Sequence, residues 1–566
     1  MNQARLLKAL LIFSLVPGFG LAQAPEVPPL PPTDPESARQ VEAPEPTLQA
    51  GPVEAQGAGP SFVLNGITLD GANAIAPDKL TPIWADLIGS RVTVETLDAL
   101  AREITAAYRS EGFVLSQAIL PAQTVDGGIV RIVVIEGVVD QVRLSGGESN
   151  QQGLVSEYFE PVPAERPLSL STLERSVLLS RDAVGDVDTV LGPSPDTFGA
   201  ADLDVLIAPR PLSGYVALEN LGSRLYGDWT MGAGFRSYNA LGANETLDAN
   251  FALAPERTSL VFGSINASVP LTGAAGTFLD GARLQFGANA FRGDPDLDEA
   301  GADPGLTSVS DQVELSAGLE VPVKRTRSEN LFARFGLTLR DSDTESGLPG
   351  LRTTDEDRLA ILEAGVEWDY ADRIGGISLV DASVRQGLDI FGARQSATGP
   401  AAGDLEFTSA QLRLSRLQAL GTTGRWSLFG EVIGQITSGV QLNSERFFLG
   451  GASIGRGFAP GNTSGDEGYG VRAELRHALP PEALGQVVSA ASLFLFADYG
   501  RAQDQTEARD GDKTEELGSV GIGAQVAVND WLSLAPMIVR QVEGTPNDSR
   551  DTSHETRFLI SAVARF

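Results

Sequence analysis

The residues that most clearly have the chemistry for a specific contact form the segment Ile454-Gly455-Arg456-Gly457-Phe458. An arginine between two glycines can approach another backbone closely because glycine has no side chain, and its guanidinium donates several hydrogen bonds. The surrounding loop, residues 439–466, is rich in glycine and apolar residues, which is unusual for a solvated surface turn. We therefore expect the loop to fold inward and Arg456 to bind a carboxylate.

A second segment, residues 490–503, supplies a carboxylate within the alternating pattern of a β-strand. Its two faces are Leu493, Leu495, Ala497 and Tyr499 on one side and Phe496, Asp498 and Gly500 on the other. If the apolar face contacts lipid, Asp498 points into a barrel, where a charge-assisted Arg456–Asp498 contact would hold the loop in place.

Two other interpretations of the glycine-rich loop need to be weighed. A nucleotide-binding loop is disfavoured because the Walker lysine and a βαβ context are both absent. An ordinary surface loop remains open, since glycine-rich surface loops are common.

The composition argues against several kinds of chemistry. The 566-residue chain has no cysteine and only two histidines, His477 and His554. A thiolate site is therefore excluded, a multi-histidine metal site is disfavoured, and neither histidine lies near a Gly-x-Ser-x-Gly elbow of a secreted hydrolase. We expect no catalytic residue, no metal and no cofactor.

Charge argues against nucleic acid as a partner. The chain has 42 Lys and Arg against 74 Asp and Glu, a net charge of −32 that repels phosphate backbones. Asp294, Asp296 and Asp298 alternate as calcium ligands can, but no EF-hand glycine or distal glutamate follows them. A solvated acidic loop is the favoured interpretation.

Residues 213–566 consist of alternating segments of about ten residues. Their apolar and polar faces fit a closed membrane barrel with a wet lumen. We predict sixteen antiparallel strands, an even number typical of bacterial outer-membrane barrels, beginning near residues 213, 228, 243, 257, 276, 308, 328, 356, 374, 404, 422, 467, 488, 515, 530 and 554. In the last strand Phe558, Ile560 and the terminal Phe566 share one face, similar to the C-terminal signal read by the outer-membrane assembly machinery.

The region before the barrel divides into four parts. Residues 1–22 have the basic start and short apolar stretch of a secretory signal peptide, and residues 23–60 form a proline-rich linker. Residues 61–137 and 138–210 each predict the element order βααββ, which indicates two α+β modules of the same topology.

Taken together, these features resemble the outer-membrane transporter subunit of two-partner secretion systems, the haemolysin secretion/activation family. Its (V/I)-R-G-(F/Y) loop motif is similar to residues 454–458, with the aliphatic residue displaced to Ile454. Its F-x-D-x-G strand motif matches Phe496, Asp498 and Gly500. The family has two periplasmic POTRA domains and a sixteen-stranded barrel, often with an N-terminal plug helix that the proline-rich residues 25–60 put in doubt.

The resemblance implies a function and its partners. The POTRA domains would recognise a secreted exoprotein of haemolysin or adhesin type in the periplasm, and the barrel would translocate it to the cell surface. Further partners would be outer-membrane lipid and, during biogenesis, periplasmic chaperones and the barrel-assembly machinery.

Two alternative functions remain open at this stage. An outer-membrane protein insertase shares the barrel and the arginine loop, but such proteins typically have more than two POTRA repeats. A nutrient uptake channel would need neither periplasmic modules nor the Arg456 and Asp498 pair.

Overall fold

The computed structural model describes residues 61–208, 212–255, 260–298, 306–348, 350–396, 402–421, 423–485, 487–505, 514–546 and 553–566. The predicted signal peptide and linker lie outside the described residues. No helix in the described part of the chain is both long and apolar enough to cross a membrane.

The first module is a three-stranded sheet packed against helices. Its elements are β1 (Phe62–Val63), β2 (Gly66–Asp70), α1 (Pro77–Leu80), 3-10 turns at Thr81–Ile83 and Ala85–Leu87, β3 (Arg91–Val92), α2 (Val94–Ser110), β4 (Gln117–Ile119) and β5 (Ile129–Ile135). The first helix ends after four residues because Pro82 follows it, and the amide hydrogen that proline lacks cannot continue the hydrogen bonding.

Helix α2 is fixed at both ends. Thr93 and Thr96 form a reciprocal cap at its start, satisfying backbone N–H groups that have no partner within the helix. Near its end, the buried Tyr108 donates to Glu136 at 2.9 Å. Burial raises the pKa of Tyr108, and the Glu136 carboxylate raises it further, so the phenol stays a donor. The side chains that α2 buries recur at helical spacing: Leu97, Leu100, Ala101, Ile104 and Tyr108.

The second module repeats this topology. Its elements are β6 (Val138–Gly146), α3 (Ser149–Phe159), α4 (Pro161–Ala164), α5 (Leu170–Val184), β7 (Asp186–Pro193) and β8 (Ala200–Ala208). In each module the first long strand pairs in parallel with the last strand, and the strand between them in sequence pairs with the last strand in antiparallel fashion. The predicted duplication of topology is therefore confirmed.

The rest of the chain is almost entirely β-strand. The strands are β9 (Leu212–Glu219), β10 (Thr230–Tyr238), β11 (Thr246–Leu253), β12 (Leu260–Pro270), β13 (Arg283–Gly293), β14 (Thr307–Arg325), β15 (Glu329–Leu348), β16 (Leu351–Ala371), β17 (Gly376–Leu388), β18 (Thr408–Leu420), β19 (Trp426–Thr437), β20 (Phe447–Leu449), β21 (Thr463–Gly465), β22 (Glu467–Ala478), β23 (Ala490–Gln503), β24 (Thr514–Ala527), β25 (Leu532–Glu543) and β26 (Thr556–Arg565), with 3-10 turns at Asn443–Glu445 and Pro481–Ala483. All but β20 and β21 form one closed antiparallel barrel, in which β26 pairs with β9.

The predicted count of sixteen barrel strands is confirmed. Most strands begin within four residues of the predicted position, because side-chain alternation marks them clearly. The fifth strand begins at Arg283 rather than near 276, since residues 271–282 form a turn against the second module. The eighth begins at Leu351 rather than near 356, because β15 and β16 extend together as a long hairpin.

The barrel separates an apolar outer face from a polar lumen. Phe558 on β26 and Phe566 directly after it point outward and are 60% and 65% exposed, as expected for side chains that meet lipid. On β23, Leu493 and Leu495 point outward, whereas Phe496 and Asp498 are buried in the lumen. The predicted assignment of faces on β23 and β26 is confirmed.

The second module is held against one side of the barrel rim. Three turns at this end, which join β10 to β11, β12 to β13 and β14 to β15, all contact it. The contacts are Asn150 with Asn239 and Asn244, Arg175 with Asp280, Asp182 with Arg325, and Glu174 with Arg327. We call this the module end of the barrel.

Candidate functional site: the loop inside the barrel

Residues 439–466 join the eleventh barrel strand, β19, to the twelfth, β22, and fold into the lumen. Within this loop β20 pairs with β21 in a short antiparallel ladder. Its apolar side chains form a buried cluster with the barrel wall, made of Phe447, Leu449, Ile454, Phe458, Ala502 and Leu517. The loop therefore packs against the inner face of the barrel rather than lying as an ordinary surface loop.

Arg456 lies at the tip of the loop, buried against the twelfth and thirteenth strands. Its guanidinium forms an ion pair with Glu474 of β22, and its Nε donates to the carbonyl oxygen of Ala452 at 3.2 Å. The guanidinium carbon also lies 4.4 Å from the centre of the Phe496 ring, a cation–π distance. The tip is therefore held by charge, hydrogen bonding and stacking together.

Asp498 binds the same loop tip through the backbone, which corrects the predicted Arg456–Asp498 ion pair. Its carboxylate accepts hydrogen bonds from the amide of Gly455 at 2.9 Å and, more weakly, from the amide of Arg456 at 3.5 Å. The Ser519 hydroxyl donates to it at 2.6 Å. The Arg456 side chain extends away from Asp498 toward Glu474. Two carboxylates therefore hold the tip: Glu474 binds the guanidinium, and Asp498 binds the backbone.

The glycines of both motifs make room for this arrangement. Gly455 has a φ of +83°, and a Cβ there would lie 2.4 Å from Leu517 Cδ1. A Cβ at Gly500 would lie 2.7 Å from Leu449 Cδ1. The Phe496 ring thus stacks on the Arg456 guanidinium, and the Asp498 carboxylate accepts hydrogen bonds from the loop backbone. Gly500 leaves the space that Leu449 occupies.

Glu474 is the centre of a larger network of ion pairs, although the sequence analysis assigned it no contact with Arg456. Arg476 donates to it at 2.6 and 2.8 Å, in addition to the pair with Arg456. Arg472 pairs with Glu431 of β19 at 3.1 Å. Arg472, Glu474 and Arg476 alternate along β22, so all three side chains point into the lumen. This alternation in the sequence could have indicated the network.

The base of the loop has a separate anchor at Glu445, which the sequence analysis missed. Glu445 forms ion pairs with Arg340 of β15 and Arg385 of β17. Arg340 also donates to Glu314 at 2.6 and 2.9 Å and to the carbonyl of Ser444 at 3.0 Å. All four charged side chains are almost completely buried, so water screens the pairs little.

The loop thus spans the lumen between two groups of strands. Its base contacts β15, β17 and β19, and its tip contacts β22, β23, β24 and, through a 2.7 Å hydrogen bond from Gln541 to the Gly457 carbonyl, β25. Among the described residues, no hydrogen bond or ion pair joins the loop to strands β9 to β13. The loop occupies one side of the barrel interior.

The family comparison decides what this architecture is. The model of the haemolysin secretion/activation proteins ShlB/FhaC/HecB matches residues 205–526, more than half of the chain. The chain belongs to this family. A model of the ShlB-type POTRA domain matches residues 62–137, which is the first module.

Relatives of this two-partner secretion transporter match along most of its length. It is 25% identical over 506 residues to the heme/hemopexin transporter protein HuxB of Haemophilus influenzae strain 86-028NP, covering 87% of this chain and 85% of that protein. It is 22% identical over 498 residues to the outer membrane transporter CdiB of Dickeya dadantii strain 3937, covering 84% and 82%. The solved structure of CdiB from Escherichia coli shares the fold, with a TM-score of 0.69 at 18% identity over 92% of this chain and 94% of that one.

The identity fixes location and function. The transporter lies in the outer membrane with its N-terminal POTRA region in the periplasm, and it translocates a partner protein by two-partner secretion. The module end of the barrel therefore faces the periplasm, and the in-folded loop enters from the cell-surface end.

Proposed function

We propose that the partner is a single exoprotein of haemolysin or adhesin type, captured in the periplasm by the POTRA region and passed through the barrel lumen. Loop 439–466 shifts as the exoprotein enters. The observation that carries this proposal is the position of the loop: it lies inside a closed barrel and is held by polar contacts that can exchange. Translocation of this kind requires no catalytic residue and no cofactor, and folding of the exoprotein outside the cell would drive it.

The domain boundaries that go with this function are also a proposal. Residues 1–22 are the signal peptide, 23–60 the linker, 61–137 and 138–210 two POTRA domains, and 211–566 the barrel. The shared strand pairing of the two modules supports the second POTRA domain, since it repeats the topology of the module that the POTRA model matches.

A deletion experiment tests the proposed function. We expect the culture supernatant of a strain lacking this transporter to lose one large exoprotein, as measured by mass spectrometry against the parent strain. The class of that protein would show whether it is an adhesin, a cytolysin or a haem-capturing protein, the last suggested by the name of the HuxB relative. An unchanged supernatant with a general fall in outer-membrane proteins would instead support the insertase function.

Changing the last residue should impair assembly. Phe566 is 65% exposed on the lipid face, where Phe558 and Ile560 complete the proposed signal for the assembly machinery. We expect Phe566→Ser to lower the amount of folded barrel, measured by heat-modifiable migration of the outer-membrane fraction. Phe335→Ser is the matched control, because Phe335 is also lipid-facing, 54% exposed, but lies on β15. Equal losses in the two variants would contradict a specific C-terminal signal.

A side chain at Gly455 should displace the loop tip without unfolding the barrel. Gly455→Val places a Cβ against Leu517 and should strongly reduce secretion, measured as exoprotein in the supernatant. Gly375→Val is the control for backbone strain, since Gly375 has a φ of +80° but its Cβ would be 3.6 Å from the nearest heavy atom. If both variants secrete equally well, the close fit of the tip is not required.

A further inference from the structure

The inner wall formed by β9 to β13 differs in chemistry from the rest of the lumen. Its charged lumen-facing residues lie only near its two ends: Glu219 towards the surface, and Arg236, Asp248 and Arg283 towards the periplasm. Arg236 and Asp248 pair with each other, and Asn266 lies opposite Asp248. The other lumen-facing polar side chains of this wall are neutral and include Asn250, Ser264, Asn266, Gln285 and Asn289. We call this surface the amide wall.

The rest of the lumen wall contains most of the charged side chains and all the strands that contact the loop. Lumen-facing charges on β14 to β22 are largely engaged in ion pairs, among them Glu314 with Arg340, Arg334 with Asp381, and Arg472 with Glu431. The loop tip and base use the same strands and the next three, β23 to β25. The amide wall is thus the part of the lumen that the loop leaves free.

The second module is docked directly beneath the amide wall. Two of the three turns that hold it, joining β10 to β11 and β12 to β13, connect strands of this wall. The third turn joins β14 to β15, immediately beside the wall. A chain released from the second module therefore meets this wall first.

We propose that the exoprotein crosses the lumen as an extended chain along the amide wall, an inference that rests on the proposed function. Amide and hydroxyl side chains can both donate to and accept from peptide groups, whatever the sequence of the client. Each such hydrogen bond replaces one to water, so its net strength is small and a chain can slide. Ion pairs, by contrast, would hold charged client residues.

Asn266 and Gln285 are suited to this contact. Both are partly exposed in the lumen, and neither side chain forms a hydrogen bond with another described residue. Gln411 of β18 is the matched control, because it is also a partly exposed, lumen-facing amide but lies across the barrel and bonds Gln435 at 2.9 Å.

Disulfide cross-linking tests the route, and the absence of native cysteine makes every introduced thiol unique. The variants are Asn266→Cys, Gln285→Cys and Gln411→Cys, each in the full-length transporter in outer membranes. The probe is the exoprotein identified by the deletion experiment, carrying single cysteines along its length and stalled by a fused fast-folding domain. We expect at least about tenfold more cross-linked product from the first two variants than from Gln411→Cys, because proximity governs the yield.

The outcomes are distinguishable. Equal or greater cross-linking at Gln411→Cys would overturn the amide-wall route while leaving translocation through the lumen intact. Cross-linking at none of the three positions, with secretion of the unfused exoprotein normal, would overturn both this inference and the lumenal route of the proposed function. Heat-modifiable migration checks that each variant is folded. If one of the two wall variants does not fold, the other still tests the route.

Discussion

Secretion of the exoprotein should fall by roughly tenfold or more when Arg456 is replaced by alanine, as expected if at least about 1.4 kcal/mol of loop-tip binding is lost. The substitution removes both the ion pair with Glu474 and the stacking on Phe496. The tip then keeps the backbone contacts to Asp498, the hydrogen bonds of Gly457 and the apolar packing of Ile454 and Phe458, but no ion pair of its own. Exoprotein in the supernatant is the measurement.

The barrel of the Arg456→Ala variant should still insert, since Glu474 retains Arg476 and no strand ladder is changed. Heat-modifiable migration checks this. Arg413→Ala is the matched control: Arg413 faces the lumen and lies 3.8 Å from Glu431, but forms no hydrogen bond to the loop among the described residues. Normal secretion by a well-assembled Arg456→Ala variant would contradict the proposed role of the tip.

Glu445→Gln should lower the thermal stability of the barrel and loosen the base of the loop. It removes the carboxylate that Arg340 and Arg385 share, leaving Arg385 with only Glu363 at 3.5 Å. Breaking a buried ion pair on one side typically costs about 3–5 kcal/mol, because a buried charge loses its partner. We expect the folded, heat-modifiable band to disappear at a clearly lower temperature than in the parent protein.

An exposed ion pair provides the comparison for Glu445. Glu345 and Arg352 form a 2.7 Å pair on the β15–β16 hairpin, with both side chains about half exposed. Glu345→Gln should hardly change the melting temperature, since surface pairs contribute about 0–1 kcal/mol. Similar shifts in the two variants would show that the Glu445 network does not hold the loop base.

Much of the barrel could be predicted from side-chain alternation, because a strand with lipid on one face and water on the other must alternate. The partner of Arg456 could not. Glu474 and Asp498 both face the lumen, and the choice between them depends on the register in which β22 opposes β23, with Glu474 beside Phe496 and Arg472 beside Asp498.

The Glu445 anchor was beyond sequence reasoning for a different reason. Residues 443–445 form a single 3-10 turn inside the loop, so no periodic pattern marks which way Glu445 points. Its partners Arg340 and Arg385 are 105 and 60 residues away in sequence. Only the closed barrel brings them to one point.

The two anchors also limit how wide the passage can become. The loop is fastened at Glu445, and again where Asp466 accepts from the amides of Gln441 and Gln505. The β20–β21 pairing of residues 447–449 with 463–465 leaves six residues on either side of Arg456, 450–455 and 457–462. Once the tip contacts are released, each of these segments can extend by roughly 20 Å. That reach exceeds the width of an extended chain or of a single helix, about 10 Å, but is smaller than a folded domain of 100 residues, whose radius of gyration of about 13 Å corresponds to a diameter of roughly 34 Å. We therefore expect the client to stay unfolded until its leading end is outside the cell.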